Sequence, residues 1–411
     1  MPRPGRHPPK TKLLVTRTYH IGISAIHPAR TFRRLAILLG FIAGIPWLAC
    51  RKDYTPPVLR TNPNLLVVEG VLNAGTGASS TFTLTRTQTI GDSLGAYTPE
   101  TGARLTILSS NGDIYQLREQ GNGIYTSLSL LLDKTEKYQL KIVTHDGSQY
   151  LSDAVPVTTA PPIDSLTWQQ DQSSGNVTVS INTHDPANNS HYYRWFFTET
   201  WEYQSALISE LIVQNGLLIF TDSSNQTSTC WRTDSSTDIL LGNSTALSQD
   251  RINQAPIATI PRAAEKLSVR YSLLASQYIL TEQAYRYWSI LQKNTQNLGS
   301  LFDPQPSQLI GNYHNLTNPN EPVIGYLSAS TIGQQRLFIQ RNQVGNWDTT
   351  GMTCPLRNIP QNPFNFQLYS YSDPSYGPYY FTTFPTGLEI SFETCLDCRL
   401  KGGSTQKPDF W

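Results

Sequence analysis

The side chains best suited to chemistry in this chain are its cysteines. Four of the five, Cys230, Cys354, Cys395 and Cys398, lie well inside the sequence, and the last two stand as Cys395-Leu-Asp-Cys398. That spacing suits zinc ligands, a redox pair or two disulfide partners. A zinc ribbon needs a second such pair, and Cys230 and Cys354 stand alone. A thioredoxin-like motif is disfavoured because the pair follows a strand-like Leu388-Glu-Ile-Ser-Phe392 with no helix signal after it. An even number of cysteines in an oxidising compartment reads as disulfides, with three pairings open. A bond within the Cys395/Cys398 pair closes a very small loop and constrains the unfolded chain least. The expectation is therefore that Cys230 and Cys354 each join one member of the pair, the rival being one bond inside the pair and one between Cys230 and Cys354. No metal is expected.

Histidine adds little. His145, His184, His191 and His314 form no HExxH or His-x-His motif, and His184-Asp185-Pro186 reads as a turn. No Gly-x-Ser-x-Gly elbow, P-loop or Gly-x-Gly-x-x-Gly occurs, so hydrolase, NTPase and dinucleotide chemistry have no residue to rest on. No catalytic residue and no cofactor are expected. Paired carboxylates of the glycosidase type depend on spatial separation, which leaves a carbohydrate-active enzyme as a third-ranked reading. The richest recognition chemistry lies in the aromatic run from Asn362 to Phe381, where Phe364, Phe366, Tyr369, Tyr371, Tyr376, Tyr379 and Tyr380 stand among Asn, Ser, Gly and Pro. Rigid rings beside small hydrogen-bonding residues make a candidate recognition surface. Its rival is a long loop that buries half its rings against a sheet.

Charge and the leader indicate where such a surface would operate. Charged residues are 15% of the 411 against a typical ~25%, while apolar content is 38%. This argues against a disordered chain, a coiled coil or a nucleic-acid binder. Residues 1–49 hold eight Lys/Arg and no acid, leaving 23 basic against 30 acidic residues from Cys50 onward. Arg33-Arg34 precede a 15-residue apolar run, Leu35 to Ala49, that ends against Cys50. It is too short for a comfortable membrane span and the right length for a signal-peptide core, placed at about 33–49. Leu48-Ala49-Cys50 resembles a bacterial lipobox, from which Trp47 departs. Cys50 is accordingly the expected lipidation site, and two acyl chains on it would anchor the protein stably. Residues 50–64, with Pro56, Pro57 and Pro63, read as a lipidated tether.

The elements that must position these residues are strands. Leu65-Val68, Thr81-Thr85, Ala103-Leu108, Ile114-Leu117, Gly123-Tyr125 and Tyr138-Val143 mostly alternate apolar and polar residues between turn signals. They predict an N-terminal sandwich over 65–160, and Gly102 to Ser152 resembles the transthyretin-like sandwich of carboxypeptidases and many envelope proteins. Pro161-Pro162 ends that region. Over 161–411 the sequence predicts strands at Ser165-Trp168, Asn176-Asn182, Tyr192-Tyr203 and Leu267-Leu273, with irregular loops from Glu210 to Thr259. A helix is expected at about 282–297, capped by Thr281 and presenting Ala284, Tyr285, Trp288 and Leu291 on one face before Gly299 stops it. The expected fold class is all-β: an immunoglobulin/transthyretin-like β-sandwich, then a larger fibronectin-like domain with one inserted α-helix and a disulfide-stapled tail.

Several pieces occur together in order: Leu66-Val-Val-Glu-Gly70 after the lipidated cysteine, Pro161-Pro-Ile-Asp-Ser165, Cys230-Trp231, Gly299-Ser-Leu-Phe-Asp-Pro-Gln-Pro306, and Cys395-Leu-Asp-Cys-Arg399 with Lys407-Pro-Asp-Phe-Trp411. The set resembles a Bacteroidota family of outer-membrane lipoproteins, a domain of unknown function often found beside TonB-dependent, SusC-like receptors. The resemblance implies an outer-membrane, lipid-anchored, non-enzymatic protein, with either membrane face open. It also implies a role as accessory or substrate-binding subunit of a nutrient-uptake system whose partner is such a receptor. A structural or adhesive surface lipoprotein is the alternative. It carries over no catalytic residue, names no substrate and involves no nucleic acid.

The remaining chain has no apolar anchor once the signal is removed, so Cys50→Ser should move the protein from the membrane to the soluble fraction. Fractionation checks this; a variant still fully membrane-bound would require a second attachment.

Overall fold

The computed structural model describes residues 64–88, 97–215, 217–296, 309–347, 353–359, 375, 379–383 and 387–411. Cys50, the leader, Gly299 and most of the aromatic run lie outside the described residues. The protein is all-β, as its alternating pattern predicts.

In the first region several strands bury every other side chain: Leu66 and Val68, Phe82 and Leu84, Leu105 and Ile107, Leu140 and Ile142. The strands Leu66–Gly70, Thr81–Arg86, Ile124–Ser127, Ile114–Gly121, Arg104–Ser109, Lys137–Val143 and Val155–Thr158 are successive hydrogen-bonded neighbours. Val155–Thr158 then pairs in parallel with Ala329–Ser330, which pairs with Leu72–Asn73. Only Val71 separates Leu66–Gly70 from Leu72–Asn73, so the two ends of the sheet meet and it curls around its own core. Leu66–Gly70 also takes Ile324–Gly325 as a parallel partner.

The segment from Tyr313 to Ser330 thus completes a sheet begun some 250 residues earlier in the chain. Tyr313, Val323, Leu327 and Ala329 belong to its core. Asn312, buried, holds the segment in shape, because its side-chain amide donates to Leu327 O at 3.1 Å and accepts from Leu327 N at 2.7 Å.

The second core lies between two sheets. One comprises Ile163–Gln170, Val177–His184 and Arg251–Ile260; the other comprises Thr229–Ser235, Tyr192–Gln204, Arg270–Ile279 and Gly333–Gln340, with Leu240–Asn243 beside the second of these. Val177, Val179 and Ile181 alternate on one wall, facing Tyr193, Trp195, Trp201, Tyr203 and Tyr271. Gln277 is fully buried in this apolar interior, yet its amide is satisfied: Oε1 accepts from Trp195 Nε1 at 2.7 Å, while Nε2 donates to Pro161 O at 3.0 Å and Thr183 Oγ1 at 2.9 Å. Leaving any of these groups unpaired would cost about 1–3 kcal/mol.

The irregular stretch expected over 210–259 is instead largely strand. Leu211–Gln214 and Leu217–Phe220 pair antiparallel as a hairpin, with Asn215 in the left-handed region (φ 52°). Asn-Gly is a strong hairpin signal that the surrounding Ser/Asn/Thr content masked. Arg251–Ile260 contains Pro256, which its position at the edge of a three-stranded sheet tolerates. Here it falls at a register shift against Val179 and Ser180, where the ladder is already interrupted. The expected Leu267-Leu273 strand begins later, as Arg270–Ile279, and follows a 3-10 turn at Glu265–Leu267.

The tail is fastened to the second core. Cys230 is bonded to Cys398 and Cys354 to Cys395, so each isolated cysteine takes one member of the pair. A short helix, Glu393–Leu396, follows the Gly387–Ile390 strand where no helix was expected; at one turn it is too brief for a periodic signal. Gly403 packs directly on Tyr203, where a Cβ would come within 2.3 Å of the hydroxyl oxygen, and Ser404 exchanges backbone hydrogen bonds with Trp231. Trp411 Nε1 donates to Glu202 Oε2 at 2.9 Å.

The Cys230–Cys398 bond joins residues 168 apart in sequence, so its loss frees a long loop in the unfolded chain. A Cys230→Ser/Cys398→Ser double variant should lose about 2–4 kcal/mol in non-reducing urea unfolding. Peptide mapping of the unreduced wild type should recover Cys354 joined to Cys395.

Candidate functional site

The outward face of the Tyr192–Gln204 strand starts the site. Tyr193 and Trp195 point into the second core, so by the two-residue period Arg194 and Phe196 point away from it. Arg194 stands opposite Tyr278 of the Arg270–Ile279 strand in register, close enough for direct side-chain contact. That strand ends at Ile279, and two residues later Thr281 starts the helix Glu282–Gln296, its hydroxyl accepting from Ala284 N at 3.2 Å. The helix buries Ala284, Tyr287 and Trp288, with Tyr285 and Leu291 partly buried beside them. Tyr287 is the addition to the expected face; burial pushes its hydroxyl up to about 12.

Trp288 lies beneath Arg194, whose guanidinium carbon is 3.3 Å from the indole ring centroid and 5.7 Å from that of Tyr278. Such stacking is worth about 2 kcal/mol when desolvated. Burial raises the Tyr278 pKa, while the charge of Arg194 and a hydrogen bond from it pull the other way.

The opposite wall comes from the curled sheet, where Glu69 to Val71, Asn73 and Ser79 to Thr81 face Phe196 and Trp288 across a cleft of about 640 Å³. That volume lies in the range of small-ligand sites. Gly70 permits the close approach there: at its φ of +146° a Cβ would meet Phe82 Cδ1 and Thr81 O, each at 2.6 Å. The third wall is the loop Ser236 to Asp238. It is pinned to the same strand by Ser236 N donating to Phe197 O and Phe197 N donating to Ser236 Oγ, each at 2.9 Å.

A second cavity, of about 550 Å³, opens beside Arg86, Glu100, His145 and Asp146. Its cation is already committed, since Arg86 Nε bonds Glu100 Oε2 at 2.6 Å and both side chains are largely buried. In the first cleft neither Glu69 nor Asp238 forms an ion pair with Arg194 among the described residues.

The histidines and the Ser244–Asp250 pair form contacts of their own elsewhere. His191 Nδ1, Ser244 and Asp250 adjoin one another, which invites comparison with a nucleophilic triad. Here Ser244 donates to Asp250 Oδ1 at 2.6 Å and lies 3.2 Å from His191, so it is the middle member rather than the end. It is also completely buried, with no access for a substrate. Tyr193 donates to the other oxygen of Asp250 at 2.9 Å, and its pKa is raised by burial and by that carboxylate. His184 pairs with Asp164, and His314 with Asp153 at 2.9 Å. Among the described residues no three metal-ligating side chains gather.

The residues singled out in the sequence fall elsewhere. Phe364, Phe366, Tyr369, Tyr371 and Tyr376 lie outside the described residues, as does Cys50. Tyr379 and Tyr380 are on the strand Tyr379–Thr383, which pairs with Leu211–Gln214. Arg194, Phe196 and Tyr278 were missed. Their signal was the alternation within Tyr192-Tyr-Arg-Trp-Phe-Phe197, whose outward members include two rings beside Arg194.

Fold and cleft together define an all-β protein with two strand-enclosed cores, a smaller apolar cluster under the helix, and a ligand-sized cleft between the curled sheet and the sheet that holds Tyr192–Gln204. The chain belongs to the family described as Domain of unknown function (DUF4249), matched over residues 51–336. No curated protein matches it. Among solved structures it is similar to a mutant Salmonella alpha-2-macroglobulin at 11% identity over 53% of this chain and 14% of that one, with a TM-score of 0.17. It is also similar to the Yersinia pseudotuberculosis adhesin InvE, at 16% identity over 52% and 57% with a TM-score of 0.14. A biofilm associated protein BSP domain is similar at 8% over 80% and 76%, with a TM-score of 0.16. The chain therefore spans about a seventh of the first of these, and likenesses of this size carry no argument about function.

Trp288 is 7% exposed and supports both the helix and Arg194. Trp288→Ala should cost about 3–5 kcal/mol in chemical denaturation. Phe196→Ala, at a half-buried site, should cost less.

Proposed function

We propose that the protein is a non-catalytic, lipid-anchored outer-membrane lipoprotein that serves as a substrate-binding accessory of a TonB-dependent uptake system. The cleft beneath Arg194 is its ligand site. The observation that carries this reading is the cleft's chemistry: an aromatic floor of Trp288 and Tyr278, a half-buried ring at Phe196, and a cation held by stacking with no carboxylate partner among the described residues. Clefts with apolar floors and a few convergent polar groups are suited to orienting a ligand. The buried Ser244–Asp250 arrangement supports binding over hydrolysis, because its hydroxyl proton is spent on a carboxylate inside the core. The lipid anchor at Cys50 and the SusC-like partner come from the sequence resemblance.

Crosslinking in intact cells followed by membrane extraction should recover the protein joined to a TonB-dependent receptor. Phe196→Ala should preserve that crosslink while lowering uptake of the transported substrate. Absence of any receptor adduct, together with uptake unchanged in the variant, would overturn the reading.

A further inference from the structure

Three formal charges line the cleft: Arg194 on the Tyr192–Gln204 strand, Glu69 on Leu66–Gly70, and Asp238 on the loop after Thr229–Ser235. None of the three forms an ion pair among the described residues. The guanidinium carries five N–H donors in its own plane; contact with the Trp288 ring uses its face and the bond to Tyr278 uses part of its edge, which leaves the remaining donors for a ligand. A carboxylate matches that edge in a two-point geometry. A purely anionic ligand would then face two unneutralised carboxylates across the same space, and a purely cationic one would face Arg194. A ligand bearing both signs satisfies both ends.

Spacing restricts it further. Arg194 pairs with neither acid among the described residues, so the ligand must bridge the two signs, and a cleft of about 640 Å³ admits a molecule longer than a free amino acid. Between them the cleft offers Phe196 and Ile332 to an apolar group and hydroxyl-bearing Ser79 and Thr237 to polar ones.

We infer that the cleft takes a short peptide in its zwitterionic form, its terminal carboxylate on Arg194 and its amino end toward Glu69 and Asp238. This rests on the reading of the cleft as the ligand site.

Calorimetric titration of the full-length lipoprotein in detergent tests it. The probes are tripeptides with Ala, Leu or Phe at the centre, each supplied free, C-terminally amidated and N-terminally acetylated, with maltotetraose as an uncharged control. Free peptides should bind, and amidation should weaken binding by about tenfold or more, the scale of losing a charge-assisted hydrogen-bonded pair. Arg194→Met, which keeps an apolar stem over Trp288, should do the same. Acetylation should weaken binding as well, and so should the surface double variant Glu69→Gln/Asp238→Asn. Because amidation and acetylation alter only the ligand, a folding defect in a variant cannot mimic the result.

Amidated peptides binding as tightly as free ones would overturn the proposal. So would maltotetraose binding in a Phe196-dependent manner while peptides do not, an outcome that leaves the cleft as the site and changes only the ligand class. Peptide binding untouched by Phe196→Ala and Arg194→Met would overturn both this proposal and the assignment of the site.

Discussion

The peptide group of Ile279 is where the two halves of the molecule are joined. Its N–H donates to Ser330 Oγ at 3.2 Å and its carbonyl accepts from Thr158 Oγ1 at 2.8 Å. Thr158 and Ser330 are themselves partners across the parallel pairing that closes the curled sheet. A buried main-chain group needs a partner, and here the end of one sheet's central strand is completed by side chains of the other sheet. The next residues along the chain take their positions from it: Leu280 donates to Tyr192 O at 2.8 Å, Thr281 caps the helix, and the helix sets Trp288 under Arg194. The cleft is a consequence of this joint, since one of its walls lies on each side of it.

The chain holds its cations in two ways. Arg86 is matched to Glu100, Arg399 to Asp397, and Lys266 to Glu199 while also lying 5.2 Å from the Trp201 ring centroid. Arg194 and Arg270 are laid over rings instead, Arg270 at 4.3 Å from the Phe338 centroid and 5.1 Å from that of Trp411. Ring contact stabilises the charge without consuming the in-plane donors. For Arg270 the surroundings are the docked tail, and for Arg194 they are open space. The same interaction is thus structural at one site and leaves recognition capacity at the other.

Much of the fold was legible because it rests on period. Strand positions in the first sheet follow from alternation within a few residues, and the helix follows from Thr281 and its apolar spacing. The hidden elements depend on separation in sequence. Tyr313–Asn315, Ile324–Gly325 and Ala329–Ser330 are two or three residues long, too short for a pattern, and acquire meaning only against partners far upstream. The cleft was hidden for the same reason, because Glu69, Arg194 and Trp288 share no local motif. The cysteine pairing was accessible because loop closure is a statement about separation itself, readable without coordinates.

The late segment from Asn312 to Ser330 also governs the order in which the molecule can come into being. A polypeptide emerging from its amino end forms the hairpins of the curled sheet early, yet the seam between Leu72–Asn73 and Val155–Thr158 stays open until Ala329–Ser330 has been made. The second core waits longer still, for Ile339, Val344, Trp347 and Cys398. Until then a nascent chain presents unpaired strand edges and bare apolar faces, the condition under which long-range β topologies fold slowly and associate wrongly. Each core therefore closes only after residues far along the chain have been made, the curled sheet first and the second core after it.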